Sequence, residues 1–243
     1  MSIFAFLEYI SLEKKCSEHT LKAYQANLIA FESYLKSEQS QGGIETASYG
    51  EIRAWIVTLI ESGNSSRTVN RKVSALRSYY KFQLSIKKIR VSPLKEHRTL
   101  KTQTKVALPF SQEEIKSLFE ADIFPDTYIG SMTRTLIQLL YFTGIRRSEL
   151  IDLKVKDIDF PKGLLKVLGK RNKERLVPLL PEIQDHLKML LKSQEDLKIV
   201  READFFFVNE KGKKLSISFV YQCVKKYFSK VSTKTKRSPH VLR

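Results

Sequence analysis

Leu136 to Pro178 reads LIQLLYFTGIRRSELIDLKVKDIDFPKGLLKVLGKRNKERLVP. The residues from about Met132 to Phe142 are apolar nearly all round, which predicts a central, buried helix. Thr143-Gly144 stops it. Arg146 and Arg147 follow the stop and lead into Ser148-Glu149-Leu150. A β-hairpin is expected next, with strands Leu164–Leu168 and Arg175–Leu179. Its turn, Gly169-Lys170-Arg171-Asn172-Lys173, carries three cations. His240-Val241-Leu242-Arg243 forms a third cluster. These three clusters read as one phosphate-handling site.

Outward from that stretch, the second half continues in mixed form. Ser111 and Glu114 make a capping-box pattern for a short helix through Ala121. Leu180-Pro181-Glu182 starts a helix carrying Ile183, Leu187, Leu190 and Leu191. Phe205-Phe206-Phe207-Val208 reads as a third short strand, and Ser216 to Lys230 as a helix. Residues 1–97 read as helical, with a loop at Gln41-Gly42-Gly43. Ser17 caps a helix whose Leu21, Tyr24, Leu28, Phe31 and Leu35 fall at steps of three and four. Ser48-x-x-Glu51 opens the Ile52–Glu61 helix, and Ser66 is expected to cap a fourth. In that fourth helix Val69, Val73, Leu76 and Tyr80 share one face. Arg67, Arg71, Ser74, Ser78 and Lys81 share roughly the opposite one. Long cations alternating with small hydroxyls suit close approach to phosphates and base edges. Arg67, Arg71, Ser74, Arg77 and Lys81, with Lys173 of the hairpin turn, are the candidate DNA contacts.

Charge narrows the partner. The 243 residues hold 43 Lys+Arg against 26 Asp+Glu, a net +17. An excess of that size repels itself unless a polyanion is near. Residues 1–97 carry +5, residues 98–106 carry +3 and residues 107–243 carry +9. The expected organisation is therefore a helical domain over 1–97, a basic linker over 98–106 and a mixed domain over 107–243, clamped around nucleic acid. The fold class is mainly α with a small antiparallel β-sheet. No apolar run reaches the length of a membrane span, and the N-terminus lacks the basic region of a signal peptide. Cys16 and Cys223 show no metal-ligand spacing and fit free thiols in a reducing compartment.

If the substrate is a phosphodiester, in-line attack builds negative charge on the non-bridging oxygens. A guanidinium stays charged, is planar and donates bidentately, which suits Arg146 and Arg243 to that charge. His240 can donate a third hydrogen bond. The leaving oxygen needs a proton, which Lys170 on the hairpin turn can deliver. Each piece alone fits a blander role, such as a surface cap, a solvated hairpin tip or an ordinary histidine. Their joint spacing is the specific signal.

Three motifs carry a resemblance. They are Thr143-Gly144-Ile145-Arg146-x-Ser148-Glu149-Leu150, then Leu168-Gly169-Lys170-x-Asn172-Lys173-Glu174-Arg175-x-x-Pro178-Leu179, then Ser238-Pro239-His240-x-Leu242-Arg243. Together they resemble the tyrosine recombinases, most of all the bacterial Xer-like integrase/recombinases. Ser17-x-x-Thr20-x-x-x-Tyr24 and Asn70-Arg71-Lys72-Val73-Ser74-Ala75-Leu76-Arg77 resemble the family's helical, SAM-like core-binding domain. The resemblance implies a site-specific recombinase with Arg146, Lys170, His240 and Arg243 as its catalytic set. It implies double-stranded DNA as partner, a 3′-phosphotyrosyl intermediate, no metal or cofactor, cytoplasmic location and a tetramer on DNA. The family pattern continues past H-x-x-R to a tyrosine nucleophile, whereas Tyr221 and Tyr227 both precede His240. The chain as given is therefore assigned no nucleophile and is expected to bind DNA without cleaving it. Two alternatives stand beside this reading: a DNA-binding protein with the fold but not the chemistry, and a metal-dependent nuclease using Asp157-x-Asp159.

Overall fold

Hydroxyl side chains set the starts of most helices. The structure is a computed structural model that describes the chain apart from residues 1, 41, 104–107, 122, 170–172, 235–236, 243 and the side chain of residue 2. After α1 (Ser2–Leu12), Ser17 accepts the Thr20 N–H to open α2 (Glu18–Ser37). Ser48 and Glu51 form the expected reciprocal box and start α3 at Tyr49, running to Glu61. Ser65, not Ser66, caps α4 (Ser66–Ser85), because its hydroxyl is the one that reaches the Thr68 N–H.

These four helices make the first of two compact units, Met1–Lys105. Its core joins Phe6 and Ile10 of α1, Leu28 and Phe31 of α2, Trp55 of α3, and Val69, Val73, Leu76, Tyr79 and Tyr80 of α4. Phe6 meets Tyr24 and Tyr79 edge-on at 5.7 Å, and Phe31 meets Trp55 at 4.9 Å. Tyr24, counted from the sequence with the apolar stripe, is only half-buried and shares a hydrogen bond with Ser78 at 3.2 Å.

The second unit, Val106–Arg243, has its own core. Ser111 and Glu114 box α5 (Gln112–Glu120) as expected. Thr127 accepts the Gly130 N–H, so α6 (Tyr128–Thr143) begins four residues before the expected Met132. Met132, Leu136, Ile137, Leu139 and Leu140 are fully buried, which makes α6 the central helix. Then come α7 (Arg147–Asp152), β1 (Ile158–Asp159), β2 (Leu164–Leu168), β3 (Glu174–Pro178), α8 (Pro181–Asp196) and α9 (Ile217–Val231). A 3-10 turn covers Pro239–Leu242. The sheet is antiparallel in the order β1-β2-β3, with Val167 opposite Arg175.

Two strand expectations need correction. The second hairpin strand runs Glu174–Pro178, one residue earlier than Arg175–Leu179. Leu179 has left the ladder: its N–H donates to the Gly163 carbonyl at 2.8 Å. Phe205–Val208 is not a strand; it makes only single bridges, Lys154 with Phe205 and Val208 with Lys214. The left-handed residues Ala203 and Asp204 precede it, and the Gln194 amide takes the Phe206 carbonyl that a strand partner would need. The third strand is β1 instead.

Gly144 ends α6 at φ +59°, and its N–H donates to the Leu140 carbonyl at 3.1 Å. A side chain there meets no neighbour but must adopt the left-handed conformation. Gly144→Ala is therefore expected to destabilise the second unit by about 1 kcal/mol. Urea unfolding followed by a probe in that unit should show the midpoint fall with the slope unchanged.

Candidate functional site

The site is built around one carboxylate. Arg146 is the residue before α7, and this six-residue helix has no hydroxyl cap. Glu149, three residues on, reaches back so that its Oε2 accepts the Arg146 backbone N–H at 2.6 Å. Its Oε1 accepts the Arg146 guanidinium at 2.8 Å. From the opposite side Arg175 of β3 donates bidentately, Nη1 to Oε1 at 2.9 Å and Nη2 to Oε2 at 2.8 Å. Glu149 is only 9% exposed, whereas the Arg146 side chain remains 49% exposed. Burial pushes the Glu149 carboxyl up, but the hydrogen bonds from Arg175 and Arg146 outweigh it and hold the group at about 2. Arg146 is thus fixed at one end and keeps the rest of its guanidinium open to a ligand.

The same carboxylate reaches the base of the hairpin turn. The Gly169 N–H donates to the Lys173 carbonyl at 2.7 Å. A Cβ on Gly169 would lie 3.2 Å from that carbonyl and 3.3 Å from Arg175 Nη1, a tight fit in which the neighbours would have to give by a few tenths of an ångström. Lys173 is exposed. Lys170, the expected proton donor, lies outside the described residues, as does Arg243.

His240 sits on the Pro239–Leu242 turn. Pro239, Val241 and Leu242 are buried and His240 is exposed. That turn packs on α6 and α9, the two helices on which α7 also packs. The segment leading to it is tied down: Lys234 Nζ donates to the Pro109 carbonyl at 2.8 Å and to the Glu114 carboxylate. Burial raises the Glu114 carboxyl, and the bonds from Lys234, Ser232 and the Ser111 backbone outweigh that and hold it at about 2. Of the last two tyrosines, Tyr227 is buried and stacked on Phe124 at 4.3 Å, and Tyr221 is half-buried. Burial and the neighbouring Cys223 push the Tyr227 phenol up, away from the ionised form that attacks. Asp157 and Asp159 are engaged in local turns, with the Lys154 N–H at 3.0 Å and the Lys162 N–H at 3.1 Å. Among the described residues no group of three or more His, Cys, Asp or Glu could hold a metal ion.

In the first unit, Arg67, Arg71, Ser74, Arg77 and Lys81 are all exposed on α4. Arg71 and Ser74 line a cleft of about 390 Å³ with His19, Thr20, Ala23, Tyr24, Asn27 and Ala75. Sequence reasoning did not single out His19 and Asn27, and it quoted Thr20 only within a motif. Their alignment with the α4 stripe depends on how α2 packs against α4. It likewise passed over Glu149 and Arg175 as site residues, although both stand inside the motifs it quoted. Arg77 departs from the stripe, since its guanidinium donates to the His97 carbonyl at 3.3 Å.

Four helices forming one unit and a helical unit with a three-stranded sheet forming the other is the fold of the site-specific recombinases. The XerH recombinase bound to a palindromic difH substrate matches with a TM-score of 0.75 at 20% identity, over 99% of this chain and 71% of that one. A lambda integrase dimer bound to a COC′ core site matches at 0.72, with 18% identity over 100% of this chain and 84% of that one. The chain belongs to the tyrosine recombinases of the phage integrase family. Residues 109–243 match the Phage integrase family and residues 3–87 match the Phage integrase N-terminal SAM-like domain. Among its relatives, tyrosine recombinase XerC of Bacillus subtilis is 31% identical over 98% of this chain and 79% of its own length. XerC of Oceanobacillus iheyensis is 34% identical over 99% of this chain and 79% of its own length.

The Glu149 geometry sets a pH dependence. An unfolded glutamate takes up a proton near 4.5, whereas folded Glu149 stays ionised down to about 2. Its contribution is therefore complete above about pH 4.5 and is lost as the pH falls toward 2. Glu149→Gln should lower stability at pH 7 by about 3 kcal/mol. The difference from wild type should shrink on acidification through that window, as read by denaturation at a series of pH values.

Proposed function

We propose that the chain binds a double-stranded DNA recombination site and that its second unit holds the scissile phosphate for strand cleavage and rejoining. The observation that carries this is the half-exposed Arg146 guanidinium, fixed at one end by buried Glu149. It supports the reading because a preorganised donor costs no reorganisation as charge develops on the phosphate. Arg243 and His240 complete the grip on the non-bridging oxygens. Lys170, on the turn whose base packs against Arg175, delivers the proton to the leaving 5′ oxygen. Attack by a tyrosine gives a 3′-phosphotyrosyl bond, and the reverse step rejoins the strand. The reading needs no metal, because guanidinium and ammonium groups meet the charge and proton demands.

The α4 stripe of Arg67, Arg71, Ser74 and Lys81, with Lys173 of the hairpin turn, supplies positioning contacts to the duplex. The net +17 supports a polyanionic partner for both units. Assembly with further recombinase subunits on DNA, and action in the cytoplasm where such a substrate resides, follow from this function. No helix among the described residues is long and apolar enough to cross a membrane.

Two titrations test the reading. Contacts to about 6–10 phosphates should give a log–log salt slope of roughly −5 to −9. A slope near zero would refute a phosphate-gripping clamp. Arg71→Ala should weaken binding to every sequence and make the slope shallower by about 1. Unchanged affinity on all duplexes would remove α4 from the interface.

A further inference from the structure

The chain leaving the first unit is held to the flank of the helix that carries the cationic stripe. Asn70 of α4 makes two hydrogen bonds with the backbone of one residue thirty positions on. Its Nδ2 donates to the Leu100 carbonyl at 2.9 Å, and its Oδ1 accepts the Leu100 N–H at 3.0 Å. A primary amide can satisfy a peptide's donor and acceptor together, as a neighbouring strand would. Arg77, two turns along the same flank, takes the His97 carbonyl at 3.3 Å. The His97 ring meets Tyr49 edge-on at 6.0 Å, with Nδ1 3.4 Å from the hydroxyl, and Leu100 packs on the core. By 100° per residue, Asn70 and Arg77 lie about 60–80° round α4 from the centre of the stripe.

This arrangement crowds like charges. Between His97 and Gln103 there is no acid, and α4 contains none either. Arg98 and Lys101 are exposed on the clamped segment, beside a helix that exposes Arg67, Arg71 and Lys81. Among the described residues none of these five makes an ion pair. A stretch of this composition, left to itself, would drift away from a basic helix. Two hydrogen bonds of the Asn70 amide and a partly buried leucine hold it there, and a bound polyanion would relieve the resulting repulsion.

We propose that Asn70 is a positioning residue that makes Arg98–Lys101 a fixed wall of the DNA surface, bringing Arg98 and Lys101 to phosphates of the duplex that the α4 stripe faces. This rests on the DNA-binding reading above and adds contacts that α4 alone does not supply. Binding and clamping are linked: duplex DNA stabilises the clamp, and the clamp spares the duplex the ordering of the segment.

The test uses the whole 243-residue chain and a 30-base-pair duplex of arbitrary sequence, with affinity measured across a salt series. Four proteins are compared: wild type, Asn70→Ala, the double variant Arg98→Ala/Lys101→Ala, and the triple combination. The double variant changes only exposed side chains, so it reads the contacts without touching the fold. It should bind roughly tenfold more weakly at 0.1 M salt, with a slope shallower by about two. Asn70→Ala should reproduce part of both effects, and the triple variant should bind no worse than the double, because the clamp acts through those two cations. In amide exchange the Leu100 N–H should be protected in the free protein, more protected with the duplex, and unprotected in Asn70→Ala. A double variant with wild-type affinity and slope overturns the proposal, and so does a triple variant whose losses multiply in full. A wild-type slope near zero fails the DNA-binding reading itself and the proposal with it. A steep wild-type slope with silent variants fails the proposal alone.

Discussion

The buried carboxylate of Glu149 is the interaction on which the second unit's site depends. Alone, a carboxylate at this depth would be neutral or would pull the structure apart. Four hydrogen bonds from Arg146 and Arg175 keep it ionised. In exchange, each arginine is confined to one direction by a group that cannot move with solvent. The short helix α7 gains its missing cap, the strand β3 is pinned to that helix, and the base of the hairpin turn is drawn against the same cluster. A single ion cluster thereby ties Arg146 to the strand that leaves the hairpin turn, across residues 26 positions apart in the chain.

Glycine stands at two backbone positions near that cluster. Gly144 accepts the left-handed conformation that ends α6 and turns the chain toward Arg146. Gly169 lets the turn close against Arg175 and the Lys173 carbonyl. The central helix α6, which Gly144 ends, is held by its buried apolar residues and by tertiary hydrogen bonds, Tyr128 to the Val208 carbonyl at 2.7 Å and Arg134 to the Phe119 carbonyl at 3.1 Å. Precision at the site is thus borrowed from a packed core, as functional side chains require if they are to stay within a fraction of an ångström.

The two units divide the electrostatics differently. In the second, the guanidiniums of Arg146 and Arg175 share the Glu149 carboxylate and Arg146 is left half open. In the first, α4 carries cations and no acids, and even the chain that departs from it is basic. Paired charge gives direction, which chemistry needs. Unpaired charge gives attraction without direction, which positioning on a phosphate backbone needs. The cleft beside Arg71 and Ser74 is lined by hydroxyl, amide and imidazole groups from α2.

Much was legible in the sequence because it depends on neighbours in the chain. Capping boxes at Ser48 and Ser111, the glycine stop at Gly144, the alternating strand Leu164–Leu168 and the apolar face of α4 all obey spacings of one to four residues. Each motif of the trio that carried the family resemblance is likewise a short run of neighbouring residues. What the sequence could not disclose was set by partners far apart. Nothing local says that Glu149 is held by an arginine 26 residues later, that Asn70 binds the backbone thirty residues on, or that Gln194 takes the carbonyl that would have made Phe205–Val208 a strand. A hydrogen bond needs two groups within about 3 Å, and the spacing of residues along a chain fixes that distance only within a turn or two of helix or a single hairpin. Beyond that reach, the packing of α6, α8 and α9 in one unit, and of α2 against α4 in the other, decided which side chains meet.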